Sequence, residues 1–119
     1  MALTHGRLAE IAEVAAAAAA VVTNAASEKT YVRFIHLHSN HATQQAVEIH
    51  LVPDSGGSVG TAADANKIAH VVLDEDERAT IELPASGLVM EDTNDTLQAV
   101  TTTANAVTIY VGGDIDDGT

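Results

Sequence analysis

The chain has 119 residues and a net charge of −12, from seventeen acidic side chains against five Lys and Arg, with no Cys, no Trp and only 3% aromatic residues. That length holds one two-layer core and not two. The composition excludes a nucleic-acid surface, which needs clustered Lys and Arg, and it excludes disulfides and thiolate chemistry.

The first twenty residues differ from the rest. Leu8, Ile11, Ala15, Ala18 and Val22 recur at three- and four-residue steps, one stripe of a helix, and the Ala run has the highest helix propensity of any residue type. Arg7 and Glu10 are spaced to pair on the exposed side of such a helix. Residues 1–24 are therefore expected to be an N-terminal arm or helix, docking on a partner or capping its own domain, with Leu8, Ile11 and Val14 as contact residues. An extended edge segment over Ala18–Asn24 is the alternative, since Val21, Val22 and Thr23 favour strands. The apolar run from Val14 to Val22 is too short to span a membrane. Glu10 and Glu13 fall where the apolar core of a secretory signal would begin.

Residues 25–113 are expected to form a β-sandwich domain. Thr30–His38 and Val47–Pro53 are rich in β-branched and aromatic residues, and the polar stretch Ser39–Gln45 between them reads as a hairpin loop. Strict alternation puts Arg33, Ile35 and Leu37 on one face of the first strand. Val32, Phe34, His36 and His38 then share the other, so both faces are expected to be covered. The Gly-containing stretch Pro53–Gly60 is a loop, with no Lys-Ser or Lys-Thr to make it a phosphate cradle. Strands follow at Ile68–Leu73, Arg78–Leu83, Leu88–Met90, Thr96–Thr102 and Val107–Val111. Turns separate them at Asp74–Glu77, Pro84–Gly87, Glu91–Asp95 and Ala104–Asn105, and residues 114–119 read as an acidic tail. Seven or eight short strands with turns every ~8–12 residues give an all-β fold, an antiparallel sandwich of jelly-roll type. Ile35, Leu37, Ile49, Leu51, Val71, Leu73, Ile81, Leu83, Leu97 and Ile109 are its expected core.

Candidate chemistry is sparse. If Ile35 and Leu37 lie opposite Ile49 and Leu51, then His36, His38, His50 and Glu48 share a face, and three imidazoles with a carboxylate could hold zinc. A one-residue slip would scatter them, and the histidines read better as polar tips on a contact face, with Phe34 beside them. Ser55, Ser58 and Ser86 lie in Gly- or Pro-flanked turns without a nucleophile-elbow pattern. Neither an enzyme nor a cofactor is expected.

A set of short motifs stands in order along the chain: Lys29-Thr30-Tyr31-Val32-Arg33 into Ile35-His36-Leu37-His38, then Val52-Pro53-Asp54-Ser55-Gly56-Gly57 and Asn66-Lys67-Ile68. Asn94-Asp95-Thr96-Leu97-Gln98-Ala99 and Ala106-Val107-Thr108-Ile109 complete the set. In this the chain resembles, from about Ala18 to Asp114, a group of small tailed-phage virion proteins. The resemblance implies a β-sandwich that is part of the particle and implies no catalytic residues. The expected role is a capsid decoration (cement) protein on the outer surface of the virion. It would bind the major capsid protein lattice and associate with itself, as a homotrimer, with no nucleic-acid or membrane partner. The alternatives are a head- or tail-fibre adaptor, and a carbohydrate- or metal-binding module using the histidine face.

Overall fold

In the computed structural model, which describes residues 3–83 and 88–117, ten strands and one short 3-10 turn account for nearly all regular structure. The strands are β1 (Leu3–Arg7), β2 (Ala12–Glu13), β3 (Ala19–Thr23), β4 (Lys29–Ser39), β5 (Gln45–Val52), β6 (Lys67–Leu73), β7 (Arg78–Glu82), β8 (Leu88–Met90), β9 (Thr96–Thr101) and β10 (Val107–Asp116). The 3-10 turn, Asp64–Asn66, precedes β6. The turn expected at Pro84–Gly87 lies outside the described residues.

Two antiparallel sheets result. One has the order β1-β10-β4-β7, with β2 extending β1 along β10 and β8 extending β7 along β4; the other has the order β3-β9-β5-β6. The first strand thus pairs with the last, β3 with β9, β4 with β7 and β5 with β6. This nested pairing is the jelly roll, and the all-β sandwich expected from the sequence is the observed fold.

The core is aliphatic, as a chain with three aromatic residues requires. Val32, Ile35, Leu37, Val47, Ile49, Leu73, Met90, Leu97, Val107 and Ile109 are buried between the sheets. Each such Leu or Ile contributes about 1.5–3 kcal/mol by leaving water. Leu51, Val71, Ile81 and Leu83 pack half-buried around them.

Four local expectations are corrected. First, β4 and β5 are not a hairpin: they lie in different sheets, and residues 40–44 carry the chain across the sandwich. Second, the faces of β4 do not alternate throughout. Phe34 pairs with Gly112 and Val32 with Gly113, so Arg33 is the extra residue of a β-bulge. The bulge turns Val32 into the core beside Ile35 and Leu37 and leaves Arg33 outside.

Third, the N-terminal segment is extended and not helical. Backbone pairing runs along β10 through β1, Leu8, β2 and Val14, where Val14 N–H donates to Val107 O at 2.8 Å. The chain then crosses to the other sheet: Thr101 N–H donates to Ala15 O at 3.0 Å, and β3 continues along β9. Open strand edges offer a backbone partner to nearly every residue, whereas an isolated Ala-rich helix of this length is marginal in water. The alternative, an edge segment from Ala18, matches β3. Fourth, the acidic tail begins later than residue 114: β10 continues to Asp116, and Asp114 is buried.

Candidate interaction face

The outer surface of the β1-β10-β4-β7 sheet gathers the side chains with the most to offer a partner. Cross-strand register sets them in rows. Leu3, Asp116 and Lys29 form the first row, and His5, Asp114, Tyr31 and Val89 the second, with Arg33 at its bulge. Arg7, Gly112, Phe34 and Glu82 form the third. Tyr110, His36 and Thr80 follow. Glu13, Thr108, His38 and Arg78 complete the set.

This face holds Tyr31, Phe34 and Tyr110, the chain's only three aromatic residues, and four of its five Lys and Arg. It holds three of the six His and only four of the seventeen acids. In a protein of net charge −12 this sheet surface is balanced in charge, and the acidic excess lies elsewhere. Aromatic and Arg enrichment with depleted acids is the composition of a protein–protein contact.

Local geometry fixes the centre of the face. Gly112 lets the Phe34 ring lie flat across β10, because a β-carbon there would overlap the ring. Tyr110 meets Phe34 edge-on, with centroids 5.3 Å apart and planes at 81°. His36 Nδ1 is 2.8 Å from the Thr80 hydroxyl on β7, and His38 Nδ1 is 3.1 Å from Oδ1 of Asn40, just past the end of β4, so both rings are held by neighbours.

A charged knot closes one end. Arg33 Nε–H donates to Asp114 Oδ2 at 2.9 Å, and His5 Nδ1 contacts Asp114 Oδ1. The Arg33 guanidinium lies 5.7 Å from the centre of the Tyr31 ring. The hydrogen bond from Arg33, then that from His5, holds the Asp114 carboxyl below its ordinary pKa against the opposing pull of burial.

The structure separates the histidines that could have formed a zinc site. His36 and His38 are on this face, while His50 belongs to the other sheet and is buried beneath the loop of residues 53–66. Its Nδ1–H points at the Ala63 carbonyl at 3.1 Å, with Asn66 Oδ1 at 3.0 Å, and its Nε2 is 3.6 Å from Glu48. Glu48 also accepts from Lys67 Nζ at 3.2 Å, which raises the Lys67 pKa. Gln98 pins the same loop by donating to Gly60 O at 3.1 Å. These groups fasten a loop to a sheet. Among the described residues no set of three or more His, Cys, Asp or Glu is placed to hold a metal ion.

Of the remaining predicted contact residues, Phe34 lies on the face, and Ile11 is 54% exposed on the N-terminal segment. Leu8 is half-buried against the core. Val14, 2% exposed, is a core residue and cannot meet a partner. Sequence reading missed Tyr110, Arg7, Arg33 and Arg78 as members of the face, since only register brings them together. A cavity of about 390 Å³ opens between β5, β6 and β8, lined by Leu51, Val52, Lys67, Ile68, Val89 and Asp95. Its lining has no nucleophile paired with a base. No protein-family model and no curated protein matches the chain.

Proposed function

We propose that the protein is a structural component of a tailed-phage particle, a decoration protein that clamps the outer surface of the major capsid lattice. The observation that carries this reading is the segregation of side chains: one sheet face rich in aromatics and Arg, on an otherwise acidic jelly roll. Such a molecule is built to be held by protein contacts on one side while its charge keeps the rest in water. The ordered motifs that resemble virion proteins supply the particle as the setting. The mechanism is mechanical: surface buried at junctions between capsid subunits resists their separation, with affinity following the quality of a few contacts more than area.

The perpendicular rings of Phe34 and Tyr110 favour this over a carbohydrate-binding role, because they offer a sugar no shared flat platform. The test is to mix the purified protein with undecorated capsids and count bound copies. Saturation at a fixed multiple of the capsid subunits supports a decoration role. A handful of copies per particle points to the fibre or tail adaptor, and no binding removes the reading.

A further inference from the structure

We infer that the outer face of the β1-β10-β4-β7 sheet is a twofold contact with a second copy of this chain. The inference rests on reading this face as a protein contact and names its partner in solution as a second copy, which the lattice would replace on the particle.

The argument comes from where the charges sit. In the first row Asp116 is on β10 and Lys29 on β4. In the second Asp114 is on β10 and Arg33 on β4. In the third Arg7 is on β1 and Glu82 on β7. In the last Glu13 is on β2 and Arg78 on β7. Each of these rows carries one acid and one base, at equal distances on either side of the line between β10 and β4. A 180° rotation about an axis lying in the face along that line exchanges β10 with β4, and β1 or β2 with β7. It therefore sets each acid of one copy over the base of the other in the first, third and last rows, and in the second sets Asp114 over Tyr31, next to the bulged Arg33. At the centre it brings Tyr110 over His36, and Phe34 over Gly112, the position without a side chain.

Such self-complementarity is what a twofold interface requires. Within one chain, Glu13 and Arg78 are separated by three strand spacings, about 14 Å, too far to pair; the same holds for Arg7 and Glu82. Arg7 lies 3.7 Å from Glu10 and Arg33 2.9 Å from Asp114, but among the described residues Glu13, Glu82 and Arg78 have no ion-pair partner. The twofold supplies one for each. The acidic remainder of each molecule stays on the far side, so this approach limits the repulsion between two copies of net charge −12. Four strands by five rows cover about 550 Å² per copy, near the lower end of specific interfaces. The pair is a twofold one, and differs from the trimer expected from the sequence.

The experiment uses the pure full-length chain in sedimentation equilibrium up to sub-millimolar concentration, with circular dichroism confirming the fold of each variant. The wild type is expected to be a monomer–dimer system. Arg78→Glu, at an exposed position, sets like charges together twice per dimer and is expected to weaken association at least about tenfold. Glu13→Arg alone does the same. The double variant Glu13→Arg/Arg78→Glu restores dimerisation to within about threefold of wild type. Tyr110→Ala, at the centre, weakens it independently. A wild type that stays monomeric at every concentration overturns the inference, as does a dimer indifferent to Arg78→Glu or a double variant that is not rescued. Capsid binding is read separately: a dimer that fails to bind capsids overturns the decoration role and leaves the twofold contact standing.

Discussion

Arg33 reaches Asp114, Nε to Oδ2 at 2.9 Å, only because Arg33 is the surplus residue of a bulge. A regular β4 would aim Arg33 into the sandwich and Val32 out of it. The bulge does both jobs at once: it completes the core with Val32 and carries a guanidinium to the outer face. Asp114 in turn ties the edge strand β1 to the sheet through His5.

This knot sets the acid dependence of stability. The folded-state pKa of Asp114 is depressed below the ordinary 3.8. Its stabilisation is therefore present in full above the unfolded-state value and is lost as pH falls through the folded one. Asp114→Asn is expected to lower Tm by about 3–6 °C at pH 7. The gap to wild type narrows as pH falls below the ordinary carboxylate value. Thermal melts of both proteins at pH 7 and pH 3 check the size and the sign.

The two glycines opposite the bulge are not equivalent. A β-carbon at Gly113 would overlap the Tyr31 carbonyl, part of the backbone, while one at Gly112 meets the outer end of the Phe34 side chain. Backbone cannot step aside, but a ring can rotate. Gly113→Ala is expected to cost about 3 kcal/mol or more, and Gly112→Ala about 1–2 kcal/mol. Denaturant midpoints of the two variants give the ranking, and the reverse order would show that the ring is the more rigid obstacle.

Asn24 locks the turn before β4 to the turn before β9. Its Nδ2 donates to Glu28 O at 2.9 Å and Asp92 O at 3.0 Å, while its Oδ1 accepts from the Thr30 hydroxyl at 2.7 Å. At 1% exposure no water can replace these bonds. Asn24→Ala leaves several buried polar groups unmade and is expected to destabilise by about 2–4 kcal/mol. Asn24→Asp is expected to cost at least as much in denaturant melts, since it keeps the acceptor for Thr30 but turns a buried carboxylate oxygen toward the Glu28 and Asp92 carbonyls.

Much of the body was legible because alternation is a local signal. β6, β7, β8 and β9 fall within a residue or so of the alternating stretches, and all ten expected core residues lie in or against the core. What escaped depends on partners distant in sequence. The segment 39–45 is polar whether it turns a hairpin or crosses to the other sheet, and it has no tight-turn dipeptide to decide between them. Val32 and Ile35, three apart and both aliphatic, hinted at a bulge opposite Gly112-Gly113, but strict alternation hid it. The contact face shared that fate: its four cations come from β1, β4 and β7, which only the register unites.

The N-terminal segment gives the sharpest contrast between the two readings. As a docking arm it would be dispensable to the fold, and removing residues 1–14 would change binding alone. Its actual place is the edge of the β10 sheet. Removal would expose β10 from Val107 to Asp116, a row of unpaired backbone groups suited to pairing with another chain. It would also take Val14 from the core, worth about 1.5–3 kcal/mol by itself, and His5 from Asp114. The truncated chain is therefore expected to melt at least about 10 °C below the intact protein. It should also aggregate on standing, because the exposed edge is long. Thermal melts combined with light scattering read both effects. A truncated protein that melts with the wild type and stays dispersed would return the segment to the role of a free arm. The substitution Val14→Ala separates the two contributions: it removes most of the buried side chain while leaving β1 and β2 to cover the edge, so it is expected to lower Tm without promoting aggregation in the folded state.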